Sequence, residues 1–298
     1  MDQPLLNYMR PGIVLCVAYP GADGDGNALV RGIEAVASDI FFSSVEVRHV
    51  PDEGARRRMV EILRGSRLDI VYETYPRLRQ LGLSLGSADP ASRRRAVEEA
   101  KRAIDDAVSI GAIRVNLISG PDPGQAGRDE GADVLVDSLY ALAEYASGQR
   151  GLALALEPFP RDGLDAALIG PMGEAVKLVR LVREVYPDVG LTLDTAHTAR
   201  LGEDFAASLA LAAPYLGQLH LSNLAPGSPN PAPPFGASGG FYDTPRLTDA
   251  LLALFRAGFL GAGHRPFVTF RVAPDAGDRT EWIIAGAKRT LTEAWTRL

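Results

Sequence analysis

Glu157, Asp194 and His220 carry the first chemical signal in this chain, because each stands at or near the end of a short apolar run. Glu157 closes Leu154-Ala-Leu-Glu, Asp194 closes Leu191-Thr-Leu-Asp, and His220 lies in Gln218-Leu-His-Leu-Ser-Asn223. A single charged residue in such a place is commonly a helix cap or a surface group. Carboxylate, carboxylate and imidazole after three successive runs make a set suited to a divalent ion such as Mn²⁺, Mg²⁺, Co²⁺ or Zn²⁺.

Polar residues on other runs extend the set. Glu46 and Arg48 fall on one face of the segment 43–48, Glu73 ends 69–74 beside Tyr72 and Tyr75, and Asn116 lies in 113–119. Groups of this kind bind substrate hydroxyls or pair with one another across a barrel, and both readings stay open. Tyr19, which follows the first run, could stack on a ring. Cys16, the one cysteine, sits in the apolar run Gly12–Ala18 and is read as a buried strand residue rather than a nucleophile. His49 and His264 fall in apparent loops, where surface roles are expected.

Eight such runs, at 12–18, 43–48, 69–74, 113–119, 152–157, 190–194, 216–222 and 267–272, alternate with helix-like sequence, the pattern of parallel βα units. The helix from Ser92 to Ile110 places Val97, Ala100, Ile104, Ala107 and Val108 on one stripe. Asp89-Pro90 opens it and Gly111 stops it. Further helices are expected over Asp133–Tyr145, Gly173–Tyr186, Asp204–Ala213, Pro245–Phe255 and Glu281–Leu298. With 298 residues, 46% of them hydrophobic, the chain suits one (β/α)₈ TIM barrel over residues 1–298. Chemistry would then sit at the C-terminal strand ends. An open doubly wound sheet is the rival. Against it, the first run is followed by Gly21-Ala-Asp-Gly-Asp-Gly26, a flexible acidic loop and not a dinucleotide fingerprint, so no nucleotide cofactor is expected. The long Pro-, Gly- and Ser-rich segment 225–241 follows the seventh run and belongs on the same rim.

A formal charge of −6 argues against a nucleic-acid partner. No run approaches the roughly 20 apolar residues needed to cross a bilayer, and Met1–Arg10 lacks the pattern of a signal peptide. A single cysteine suits a reducing compartment. The expectation is a cytoplasmic protein with a small-molecule substrate and no membrane partner; homodimerisation is left open.

Glu-Pro at 157–158, Asp-Thr-x-His at 194–197 and His-Leu-x-Asn at 220–223 resemble the xylose isomerase-like family of sugar isomerases and epimerases, and so does Gly239-Gly-Phe-Tyr-Asp243. That resemblance implies one divalent cation held by Glu157, Asp194, His220 and a final glutamate from strand eight. It also implies a substrate contact from His197 and two glutamates acting as acid and base. Tyr242 joins Glu46, Arg48, Glu73 and Asn116 as a substrate-binding candidate.

The chain departs from the family pattern in strand eight, Phe267-Val-Thr-Phe-Arg271, where Arg271 stands in place of the glutamate. Asn223 is a second departure, at a position where relatives often carry Asp. A guanidinium in place of a carboxylate changes the local charge by +2 and weakens divalent binding, or abolishes it. It offers instead a planar fork for a carboxylate or phosphate. The reading is an isomerase, epimerase, lyase or dehydratase that abstracts a proton from a small polyhydroxylated or keto-acid, anionic metabolite. Glu157, His197 and Arg271 are its catalytic residues. The alternative is a catalytically degenerate barrel, with Arg271 paired to Glu157 or Asp194, that binds a metabolite or a partner protein.

Overall fold

The computed structural model describes residues 3–149, 151–163, 166–261 and 263–298. Its eight strands are β1 (Arg10–Val14), β2 (Ser44–Val47), β3 (Asp69–Glu73), β4 (Arg114–Leu117), β5 (Ala153–Leu156), β6 (Val189–Asp194), β7 (Leu216–Ser222) and β8 (Phe267–Arg271). Neighbours in sequence are neighbours in space, every pairing is parallel, and β8 returns to β1 to close the barrel. This is a single (β/α)₈ barrel. No helix among the described residues is long and apolar enough to cross a membrane.

Seven strands fall where the apolar runs put them, and the first does not. Residues Leu15–Ala18 turn into a short helix directly after β1, so Cys16 is buried in a helical turn and not in a strand. A continuous apolar run does not by its periodicity distinguish strand from buried helix, and this run contains both. The loop after it is also more ordered than its glycines suggest. Pro20–Asp23 forms a 3₁₀ turn, and Asp25 caps the helix Gly26–Ala37 by accepting from the Asn27 amide.

The helix Pro90–Ile110 has the expected ends. Asp89 accepts from the amides of Ala91 and Ser92, and Gly111 takes φ 86°, the left-handed stop. Its buried face runs through Ala96, Ala100, Ala103, Ile104 and Ala107, while Val108 is 39% exposed. Alanines let this helix lie close against the barrel, and the bulkier valine turns outward. The helices Arg128–Ser147, Met172–Arg183, Phe205–Ala212, Thr244–Arg256 and Thr280–Thr296 fill the later positions of the outer layer.

Among the strand glycines, the one pressed most closely against backbone is Gly190 in β6. An added Cβ there would sit 2.6 Å from the Tyr215 carbonyl oxygen, next to the register shift between Leu191 and Thr192. Backbone cannot move aside as a flexible side chain can. Gly190→Ala is therefore expected to lower stability by about 1–3 kcal/mol, the usual cost of overpacking, as read from urea unfolding.

Candidate active site

Strand register puts the three motif residues side by side. Asp194 of β6 is the register partner of His220 of β7, and Ser222 of β7 is the partner of Arg271 of β8. Side chains alternate along a strand, so Gln218, His220 and Ser222 point inward while Leu219 and Leu221 pack outward. The same alternation turns Thr269 and Arg271 inward from β8. Glu157 follows the last residue of β5.

His220 lies between two carboxylates. Its Nδ1 is 3.2 Å from Glu157 Oε1, its Nε2 is 3.0 Å from Glu46 Oε2, and Asp194 Oδ2 is 4.0 Å from Nδ1. Burial opposes charge on the ring, but Glu157 and Glu46 outweigh it and raise His220 well above the usual histidine value. Burial also works against the charge of Glu46 and Asp194. His220 and the amides of Gln218 and Asn116 hold Glu46 below the ordinary carboxylate range. His197, Arg271, His220 and Ser222 do the same for Asp194.

His197 behaves oppositely. Burial lowers its pKa, although Asp194 pulls the other way. Its Nδ1 lies 3.3 Å from the Pro158 carbonyl and its Nε2 lies 3.3 Å from Arg271 Nη1. A neutral ring that donates from Nδ1 and accepts at Nε2 satisfies both contacts. Asp194 Oδ1 accepts from the His197 amide and the Ser222 hydroxyl, which caps the short helix Thr195–Arg200.

Glu46, Glu73, Asn116, Glu157, His220 and Arg271 line one chamber at the C-terminal ends of the strands. Tyr75 and Phe159 form its aromatic wall, with ring centroids 5.1 Å apart. Arg271 also lines a second depression on the far side of Phe159, with His197, Arg200, Leu224 and Pro231. The segment 225–241 thus approaches the site through Pro231. It is anchored by Asn223, which donates to the Pro234 carbonyl and accepts from the amides of Leu224 and Tyr242.

The sequence candidates divide into those that face the chamber and those that do not. Glu46 faces it, but its oxygens are engaged by Gln218, Asn116 and His220. Asn116 is held in the same network, donating to Glu46 and Gln218 and accepting from Thr192. Arg48 lies past the end of β2, where it pairs with Asp23 and stands 3.7 Å from Glu73; it lines a wider groove with His49 and Arg77. Tyr242 is 4% exposed, belongs to the hydrophobic core and is not among the residues lining the chamber. It sits next to Phe241 and Asn223, and burial pushes its hydroxyl pKa up, with Asp194 adding to the rise. Tyr19 packs beside Gly32 and is also absent from the chamber lining. His49 and His264 are exposed.

Gln218 and Ser222 escaped the sequence reading. Gln218 sits at the centre of the barrel floor and donates to Glu46 at 2.7 Å and Thr269 at 3.0 Å. The available signal was polar residues two positions either side of His220, all on one face of an otherwise apolar strand.

Glu157, Asp194 and His220 fit a metal ion in one respect. They offer ligand atoms that all lie within 4.8 Å of one another. Asp194 Oδ2 is moreover buried without a hydrogen-bond partner, the condition of an oxygen held for a cation. Arg271 Nη1, 3.9 Å from that same oxygen, opposes it. The set could hold a metal ion through three residues, with the positive charge of Arg271 beside it.

The fold has many relatives among solved structures, among them three that are each under 20% identical to this chain. D-psicose 3-epimerase from Clostridium cellulolyticum H10, solved with D-tagatose, superposes with a TM-score of 0.73 at 18% identity, covering 97% of this chain and 99% of that one. The IOLI protein, solved with a zinc atom, gives 0.72 at 15% identity over 97% and 99%. The 3-keto-D-glucoside 4-epimerase of E. coli gives 0.68 at 15% over 97% and 99%. No curated protein matches the chain in sequence. A family model described as xylose isomerase-like TIM barrel matches residues 32–273, which takes in seven of the eight strands, the cluster Glu157, Asp194 and His220, and Arg271. The chain belongs to the xylose isomerase-like TIM-barrel family.

Proposed function

We propose that the protein is an isomerase-, epimerase- or lyase-type enzyme that abstracts a proton next to a carbonyl in a small anionic sugar or keto acid. One observation carries this reading: a carboxylate, Glu157, opens into the same buried chamber as a guanidinium, Arg271. A base and an anion anchor facing one cavity are the minimum for binding such a substrate and removing its acidic proton. Glu157 takes the proton, His197 bonds a substrate oxygen, and Arg271 binds the carboxylate or phosphate. Asp194 and His220, with Glu157, would hold a divalent ion, which when bound polarises a carbonyl oxygen. The sugar epimerases among the structural relatives support a polyhydroxylated substrate.

A thermal-shift screen of sugar acids, sugar phosphates and 2-keto acids tests the binding half of the proposal. Arg271→Lys keeps the charge and loses the fork, so it is expected to raise KM for the anionic substrate about tenfold while changing kcat less. Equal KM values for the two proteins would remove Arg271 as the anchor. The second reading, a binding protein without activity, is favoured by the approach of Arg271 to Asp194 and predicts ligand binding with no turnover.

A further inference from the structure

Beyond Glu157, the chamber holds a second carboxyl group whose chemistry is unassigned. Glu73 ends β3, two strands from Glu157, with Asn116 of β4 between them as its register partner. It lines the same chamber and its side chain is 17% exposed. Glu46 spends its oxygens on the barrel floor, whereas among the described residues the polar contact that Glu73 makes is an ion pair with Arg48 Nη1 at 3.7 Å, beyond hydrogen-bond reach. A half-buried carboxyl that lines a cavity in this way is available to a ligand. Arg271 approaches from β8, so Glu73 and Glu157 share the chamber with the anion anchor.

We propose that Glu73 is the second proton-transfer residue of this site, the acid that protonates the substrate's carbonyl oxygen while Glu157 takes the neighbouring carbon-bound proton. The step balances without a further reactant. Glu157 removes hydrogen from the carbon and Glu73 gives its proton to the oxygen, which leaves an enediol. Glu73 then takes the proton of the neighbouring hydroxyl, and Glu157 returns its own to the former carbonyl carbon. The net result is a 1,2-shift, so the inference selects isomerisation over elimination. Two carboxyls two strands apart on one wall suit this better than delivery to opposite faces of a substrate.

The electrostatics agree with the placement. Burial pushes the Glu73 carboxyl up to about 7 against the pull of Arg48, with Glu46 adding to the rise, Arg271 opposing it and Glu157 adding again. Those four charged groups act on it from β2 and its following residues, from β8 and from the end of β5, and His220 of β7 lines the same chamber. An acid in that range exchanges protons readily near neutral pH.

The inference rests on Glu157 being the base, and the experiment separates the two. Hydroxypyruvate and D-tagatose serve as probes in D₂O, with proton NMR reading both loss of the hydrogen next to the carbonyl and net conversion. In the wild type, conversion should fall as pH rises through about 7, because Glu73 must carry its proton. Glu73→Gln should keep at least roughly a tenth of the hydrogen exchange, since an amide still donates to the oxygen. Its net conversion should drop by about 100-fold or more, and its descending pH limb should vanish. Conversion at the wild-type rate with an unchanged pH profile would overturn the proposal and leave Glu157 standing. Exchange that survives in Glu157→Gln, or no exchange by the wild type on either probe, removes the base reading and this proposal together. If Glu73→Gln does not fold, Glu73→Asp replaces it. The shortened carboxyl should keep the pH limb and slow conversion, and an unchanged rate would again overturn the assignment.

Discussion

Glu157→Gln should lower turnover by about 10²–10⁴-fold, the range over which a positioned general base is worth its proton transfer. The substitution keeps the size of the side chain and its Oε1 acceptor, which lies 3.2 Å from His220 Nδ1. The His220 ring also stays paired to Glu46 through Nε2 at 3.0 Å, so it does not become a buried charge without a partner. Loss of activity can therefore be separated from loss of fold. The melting temperature should change little, KM for the anionic substrate should stay near the wild-type value because Arg271 is intact, and the effect should fall on kcat. Single-turnover measurement of hydrogen loss from the substrate checks this most directly. A variant that exchanges the hydrogen at the wild-type rate would assign the base elsewhere and strengthen the reading of the barrel as a binding protein.

The barrel and the clustering of Glu157, Asp194 and His220 are legible in the sequence for the same reason. Parallel barrel strands are covered on both faces and read as short apolar runs, so a charged residue that ends a run stands out and falls on the catalytic rim. Glu157, Asp194 and His220 were visible in this way, and the alternation in Phe267–Arg271 turned Arg271 inward as the structure has it. What sequence could not give was which polar groups meet across the barrel. Glu46 and Gln218 are 172 residues apart and hydrogen-bonded at 2.7 Å; no local pattern encodes that distance. Glu46 and Glu73 looked alike as inward strand residues, yet one is consumed by the floor network and the other is open to the chamber. Tyr242 is a different case. Its neighbours in Gly239–Asp243 marked a segment near the rim, but an aromatic residue beside the site was used to pack the core.

Arg271→Glu should turn a weak metal site into a strong one. The guanidinium nitrogen stands 3.9 Å from Asp194 Oδ2, an oxygen with no hydrogen bond and the natural ligand for a cation among Glu157, Asp194 and His220. Even with full water screening, unit charges 4 Å apart interact by about 1 kcal/mol, and a dication doubles that to about 2 kcal/mol of repulsion. Replacing the guanidinium by a carboxylate converts the repulsion into a similar attraction, a change of about 4 kcal/mol or roughly a thousandfold in affinity. The interior screens less than water and the new carboxylate can itself coordinate, so this figure is a lower bound. The wild type purified without chelator should hold clearly less than one equivalent of Mn²⁺, Co²⁺ or Zn²⁺ by elemental analysis, and Arg271→Glu should approach one. Arg271→Met, which removes the charge and adds no ligand, should fall between them and isolate the electrostatic part. Wild-type protein that keeps a full equivalent through dialysis against chelator would overturn the charge argument and point to another ligand, Glu46 or Glu73, that compensates.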